Sequence, residues 1–141
     1  MKNAKKTMNV ALIAFVDGDE RILLNRRADA ESEMWEFIGG GIEPGETALQ
    51  AIIREVSEEI GYNLNEDSDD LQFMESFDFE NEKIIAQVHI FKATYPGLDN
   101  FSDSDETRVE DLHLFAASEA LELVLLPMSL DILTRNVLFE D

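Results

Sequence analysis

The sequence predicts a mixed α/β domain of the α+β type, with a mixed central β-sheet and helices packed on its faces. Three observations carry this. Apolar strand candidates precede one strongly periodic helix, further strand candidates follow it, and the tail returns to helical signals. A chain of 141 residues with 45% hydrophobic residues is long enough for a genuine core. No internal repeat and no linker divides it, so residues 1–141 are expected to form a single domain.

Met8 to Val16 is an apolar strand candidate, Asp17-Gly18 is a turn signal, and Arg21 to Asn25 returns as a second strand. A polar stretch from Ala28 to Glu33 leads into Trp35-Glu36-Phe37-Ile38 and the glycines Gly39, Gly40 and Gly41, and Pro44-Gly45 turns the chain again. The helix comes next. Thr47 and Gln50 have the form of a capping box, and Leu49, Ile52, Ile53, Val56 and Ile60 recur at helical spacing. Gly61 stands where a glycine stop belongs. After an acidic loop from Asn65 to Asp70, strands are expected at Leu71 to Phe79 and Ile84 to Tyr95, joined by Glu80-Asn81-Glu82-Lys83. Pro96-Gly97 ends the second, an acidic loop runs from Asp99 to Glu106, and Val109 to Phe115 alternates as a last strand. From Ser118 onward the sequence reads as one or two helices broken near Pro127.

Composition narrows the function. With no cysteine, disulfides, thiolate metal sites and cysteine nucleophiles are excluded. The 31 acidic against 11 basic side chains give a formal charge of −20, which disfavours nucleic acid and anionic membranes as partners. A phosphorylated substrate would be repelled too, unless divalent cations reverse the local potential. No apolar run is long enough to span a bilayer. Lys2, Lys5 and Lys6 before Val10 to Val16 imitate a secretion signal, but that stretch runs into Asp17-Gly18-Asp19 without a small-residue cleavage site. A cytoplasmic location is expected.

The chemistry is concentrated on the helix. Glu55, Glu58 and Glu59 are separated by three and four positions, so they lie along one narrow stripe beside the apolar one. Stacking like charges costs roughly 0.2–0.5 kcal/mol per pair. Hard divalent ions turn that repulsion into ligation. Glu46 adds a carboxylate near the start of the helix, and the glycine run permits close backbone approach. Such a site can neutralise a diphosphate, activate water and align it, with a spare glutamate as general base. The competing structural reading is a solvated face stitched by an Arg54–Glu58 pair.

The stretch from Gly40 to Tyr62, GGIEPGETALQAIIREVSEEIGY, resembles the Nudix box, Gx₅Ex₇REUxEExGU with U a bulky aliphatic residue. Gly40, Glu46, Arg54, Glu55, Val56, Glu58, Glu59 and Gly61 match in type and spacing, a coincidence with chance on the order of 10⁻⁷ or less at a given start. Tyr62 departs from the last position, and Ile38 replaces the proline in the family's W-x-F-P-G-G approach. Leu23-Leu24-Asn25-Arg26-Arg27 and Val109 to Phe115 also look like family strands.

The resemblance implies an α/β/α sandwich and hydrolysis of a phosphoanhydride in a nucleoside di- or triphosphate derivative. It leans to the nucleotide-sanitising, MutT-like branch; hydrolysis of ADP-ribose or another nucleoside diphosphate derivative is one alternative, and a non-catalytic nucleotide sensor is another. It implies Mg²⁺, with Mn²⁺ as a substitute, a small nucleotide-type substrate, and homodimers as a common state of relatives. Carried over by position, Glu58 and Glu59 are the principal metal ligands, and Glu55 is a further ligand or the base. Gly39 offers its carbonyl to a metal, Arg54 orients the carboxylates, and Glu46 supports the loop beside Gly40 or a second metal. One further acid comes from Asp105 or Glu106. Among substrate contacts, Arg26 and Arg27 either touch phosphate or pair with neighbouring acids. Gln87 shares strand parity with His89 and Phe91 and is a candidate for the pocket.

Overall fold

In a computed structural model, residues 4–27 and 33–139 are described. The strands are β1 (Lys6–Val16), β2 (Arg21–Arg27), β3 (Met34–Glu36), β4 (Ile38–Gly41), β5 (Gln72–Glu80), β6 (Ile84–Thr94) and β7 (Leu112–Ala116). The helices are α1 (Ala48–Ile60), α2 (Ala117–Ala120) and α3 (Pro127–Arg135). Most of the polar stretch before Trp35 lies outside the described residues.

β1 is the axis of the sheet. It runs parallel to β6 along its whole length, from Lys6 opposite Ile84 to Val16 opposite Thr94. Its other edge is shared by β4, antiparallel from Val10–Gly41 to Ile13–Ile38, and by the hairpin partner β2 at Val16–Ile22. β2 pairs in turn with β7 and, at its far end, with β3. β5 closes the opposite edge, antiparallel to β6, with a bulge between Phe73 and Glu75. Parallel and antiparallel pairs coexist, so the sheet is mixed, as expected.

The core explains why β1 is apolar without interruption. Residues Val10 to Val16 are all buried, because helices cover both faces of the strand. Ala11, Ile13 and Phe15 pack with Ala51, Ile52, Val56 and Ile60 of α1. Leu12, Ala14 and Val16 pack on the other face with Ile132 and Leu133 of α3 and with Leu138. The result is the three-layer α/β/α sandwich that the resemblance implies.

α1 begins and ends where local chemistry dictates. Thr47 Oγ1 accepts from the Gln50 amide at 3.1 Å, and Gln50 Oε1 accepts from the Thr47 amide at 2.9 Å. Gly61 is left-handed at φ 66°, and its amide donates to the Ser57 carbonyl at 3.0 Å. Pro127 occupies the first turn of α3, where its missing N–H costs nothing. Ser129 Oγ, on α3, accepts from the Phe37 amide at 3.1 Å and ties that helix to the chain between β3 and β4.

One boundary needs correction. Val109 to Phe115 is not a continuous strand: Val109–Asp111 forms a 3-10 turn and β7 starts at Leu112. The Asp111 amide donates to the Arg108 carbonyl at 2.9 Å, and the Val109 amide donates to Asp103 Oδ1 at 2.8 Å. Those bonds curl the segment before it can join the ladder. Among the described residues, no helix is long and apolar enough to cross a membrane.

Candidate active site

The apolar stripe of α1 presses the helix against β1, and β4 passes beside it through Gly39, Gly40 and Gly41. Gly39 sits at φ 144°, and a Cβ there would fall 2.1 Å from the Ala11 carbonyl oxygen of the central strand. Only glycine lets β4 lie this close. The Gly39 amide then points at α1 and donates to Glu59 Oε2 at 3.1 Å. At Gly40 the constraint is a side chain. A Cβ there would fall 2.8 Å from the Glu55 carboxylate.

Arg54 organises the remaining acids. Its Nε and Nη2 fork onto Glu46 at 2.7 and 3.0 Å, and Nη2 also donates to the Gly41 carbonyl at 2.9 Å. Its Nη1 reaches Glu55 Oε1 at 3.0 Å and Glu58 Oε2 at 3.2 Å. Hydrogen bonds from Arg54, and one from the Glu43 amide, hold the Glu46 carboxyl down at about 2. The same partners raise the Arg54 guanidinium above its ordinary value. The competing reading, an Arg54–Glu58 pair on a solvated face, is one arm of this wider cluster.

The other glutamates are pushed the opposite way. Burial, then the charges of Glu55, Glu36 and Glu106, raise Glu59 to about 8, against the opposing hydrogen bond from Gly39. Burial raises Glu55 as well, with Arg54 opposing and Glu58 and Glu106 adding to the rise. Acids crowded by burial and by one another are the groups that gain most from a cation.

Two cavities meet at this face. One, of about 480 Å³, is lined by Glu55, Glu58, Glu59, Ser104, Asp105 and Glu106. The larger, of about 720 Å³, shares Glu59, Asp105 and Glu106 and continues past Gly39 to Arg26, Arg27 and Arg108. Three of the chain's 11 basic side chains gather in this cleft, among the acids Glu36, Glu59, Asp105, Glu106 and Asp111. Arg26 is held by Asp111 at 2.6 Å and Arg27 lies 3.6 Å from Glu36.

The set of hard oxygen donors, with Glu59 crowded by burial and by neighbouring acids, suits a divalent cation of the Mg²⁺ type, whose charge would favour the ionised carboxylate. As the side chains stand, Arg54 takes up Glu55 and Glu58. Among the described residues no three acidic or histidine side chains converge closely enough to hold an ion. Glu58, held by Arg54, is largely exposed.

The structure brings together Gly39, Gly40, Glu46, Arg54, Glu55, Glu58 and Glu59, with Asp105 and Glu106 opposite and Arg26 and Arg27 along the cleft. Gln87 stands apart: it is exposed on β6, opposite Asn9 and Asp78, and lines neither cavity. Its neighbour His89 bonds Ser76 Oγ through Nδ1 at 2.6 Å, and Phe91 is core. Trp35 is a packing anchor, edge-on to Phe115 and His113 at 4.9 and 5.5 Å.

Sequence reasoning missed Asn25, Thr107, Arg108 and Asp111, which also line the larger cleft. Asn25 is 7% exposed, and its Oδ1 is the buried side-chain atom without a hydrogen-bond partner among the described residues. An orphan of this kind costs about 1–3 kcal/mol. Its signal in the sequence was a polar residue at the core parity of β2, two positions after the buried Leu23.

Comparison with known proteins agrees with this geometry. A family model described as the NUDIX domain matches residues 5–134. Among curated proteins, the chain is 44% identical over 54 residues to an RNA pyrophosphohydrolase of Legionella pneumophila, covering 38% of this chain and 29% of that protein. It is 42% identical over 50 residues to the CTP pyrophosphohydrolase of Escherichia coli, covering 34% of this chain and 37% of the other. The matched stretch thus spans about a third of these relatives' length. Among solved structures, the E. coli ORF135 protein superposes with a TM-score of 0.70 at 26% identity, over 92% of this chain and 88% of that one. The box falls within a family model and a fold match that each cover nearly the whole sequence, and the chain belongs to the NUDIX domain family.

Proposed function

We propose that this protein is a Mg²⁺-dependent hydrolase of a phosphoanhydride bond in a small nucleoside di- or triphosphate derivative. The observation that carries the reading is the joining of the two cavities. The carboxylates of α1 line one, three arginines line the other, and Glu59, Asp105 and Glu106 belong to both. A substrate can lay its anhydride over the acids while its outer groups reach the arginines. The relatives named for RNA and CTP pyrophosphohydrolysis support the same reaction type.

Glu59 and Glu58, the latter once released from Arg54, would hold the metal, with the Gly39 carbonyl as the further donor that the family resemblance implies. Bound there, Mg²⁺ or its substitute Mn²⁺ would neutralise the diphosphate and make water more acidic. Glu106 is the additional acid we favour over Asp105, because its charge is felt at both Glu55 and Glu59. Glu55 is assigned as the base. Arg54 fixes one of its oxygens at 3.0 Å, leaving the other to accept a proton from the attacking water. The water oxygen bonds to phosphorus, the bridging P–O bond breaks, and the leaving phosphate takes the bonding pair. Glu46, bound to Arg54 and to the Glu43 amide, supports the loop.

The test is release of phosphate or pyrophosphate from a panel of nucleotides, with and without EDTA. The panel should hold dNTPs, oxidised dGTP, ADP-ribose, dinucleoside polyphosphates and 5′-triphosphorylated RNA. EDTA-sensitive turnover that falls by orders of magnitude in Glu58→Gln and Glu59→Gln is expected. Near-normal turnover in both folded variants sinks the assignment.

A further inference from the structure

Asn25, whose amide oxygen is orphaned among the described residues, lines the larger cleft. Asn25 stands on β2 opposite Glu36 on one side and Leu112 on the other, and it shares the parity of Leu23 in the core beneath α1. Its side chain therefore projects to the same face as the α1 carboxylates, and it lines the cleft together with Glu59 and Gly39. It is more than nine-tenths buried. Among the described residues its Oδ1 has no partner, and Asp111 is committed to Arg26 at 2.6 and 3.1 Å. Leucine at this position would match Leu23 and Leu24 and leave no orphan.

The chemistry of the amide selects its ligand. A carboxamide is uncharged and carries a donor and an acceptor side by side in one plane. Phosphate oxygens are better matched by Arg26, Arg27 and Arg108 in the same cleft, and the anhydride belongs with the acids. What remains of a nucleotide with adjacent donor and acceptor groups in a plane is the edge of its base. Asparagine reads such edges with two hydrogen bonds, and rotation of the amide lets it present either order. A cleft of about 720 Å³ has room for base and phosphates together.

We propose that Asn25 is a specificity-determining residue whose carboxamide hydrogen-bonds the edge of the substrate's nucleobase. This rests on the nucleotide-hydrolase reading. A group that only shapes the protein would be indifferent to which base is bound, whereas a reader of the base edge would not.

Calorimetry with Mg²⁺ and AMP, CMP, GMP, UMP or ribose 5-phosphate tests this on the intact protein. The wild type is expected to prefer at least one base over the others and over ribose 5-phosphate. Asn25→Leu should shrink that preference about 10–100-fold while leaving ribose 5-phosphate within about twofold, and its Tm should equal or exceed that of the wild type. Asn25→Asp keeps the shape but removes the donor, and should reorder the bases. An unchanged preference in both variants overturns the proposal. So does a wild type blind to the base, or an equal loss of all five compounds. Failure of the hydrolase reading looks different: base-selective binding persists while no nucleotide is turned over.

Discussion

Gly40→Ala separates the fold from the site. Gly40 carries no unusual backbone angle, so the new methyl strains first what stands nearest to it, the Glu55 carboxylate at 2.8 Å. Ordinary contact is at about 3.4–4 Å, so the carboxylate must retreat by roughly 0.6–1.2 Å. It is the end of a flexible side chain, and the stability cost should stay near 1 kcal/mol, about 2–4 °C in Tm for a chain of this size. Catalysis should suffer far more. A displacement of about 1 Å in a reacting group costs on the order of 10²-fold, so kcat should fall about a hundredfold, with KM within a few-fold. Thermal unfolding and steady-state hydrolysis of the preferred nucleotide, run in parallel, read both quantities. Gly18→Ala, where a Cβ would meet nothing within 4 Å, is the control. If kcat stays within about threefold while the Tm shift is small, the placement of Glu55 against Gly40 does not govern turnover and the assignment of its role is wrong.

Three further outcomes follow from the same geometry. Glu59 has a folded value of about 8 against an ordinary 4.5, so the metal-free protein is stabilised below about pH 4.5 and loses that contribution as the pH rises through 8. Glu59→Gln should remove the slope and exceed the metal-free wild type at pH 8.5 by about 1–3 kcal/mol in urea unfolding; a parallel pair of curves refutes this. Glu46, held at about 2, behaves in reverse: its contribution is present above about pH 4.5 and fades as the pH falls through 2. Glu46→Gln should lower Tm by a few degrees at pH 7, with the gap closing toward pH 2. Ile52→Ala, at a position with 0% exposure between α1 and β1, should cost about 2–5 kcal/mol by denaturant unfolding. Activity measured well below its Tm should survive, since the side chain packs in the core beneath α1 while the acids line the cavities; loss of turnover from a fully folded variant would contradict that separation.

The parts legible in sequence were those governed by near neighbours. The capping box at Thr47, the left-handed stop at Gly61 and the carboxylate stripe all depend on residues within a few positions, and each forms where its spacing requires. The 3-10 turn at Val109–Asp111 was not legible, because its alternation resembles a strand while distant groups decide its shape. Asp111 is drawn to Arg26 on β2, and the Val109 amide to Asp103. Gln87 shows the converse limit. Parity puts it on the same face as Phe91, but Phe91 belongs to the core cluster that includes α1, whereas Gln87 stands beside the exposed Asn9 toward the start of the strand and is itself exposed.

The sequence by itself determined the family chemistry: where the helix lies, which glutamates share its face, and which glycines precede it. Those are properties of local spacing, and periodicity records them. Only the tertiary structure decided that Arg54 spans Glu46, Glu55, Glu58 and the Gly41 carbonyl, that Gly39 must lie against Ala11, and that three arginines and a buried amide meet the acids in one cleft. Those groups come from separate strands and loops, and only the closing of the sheet around β1 brings them within reach of one another.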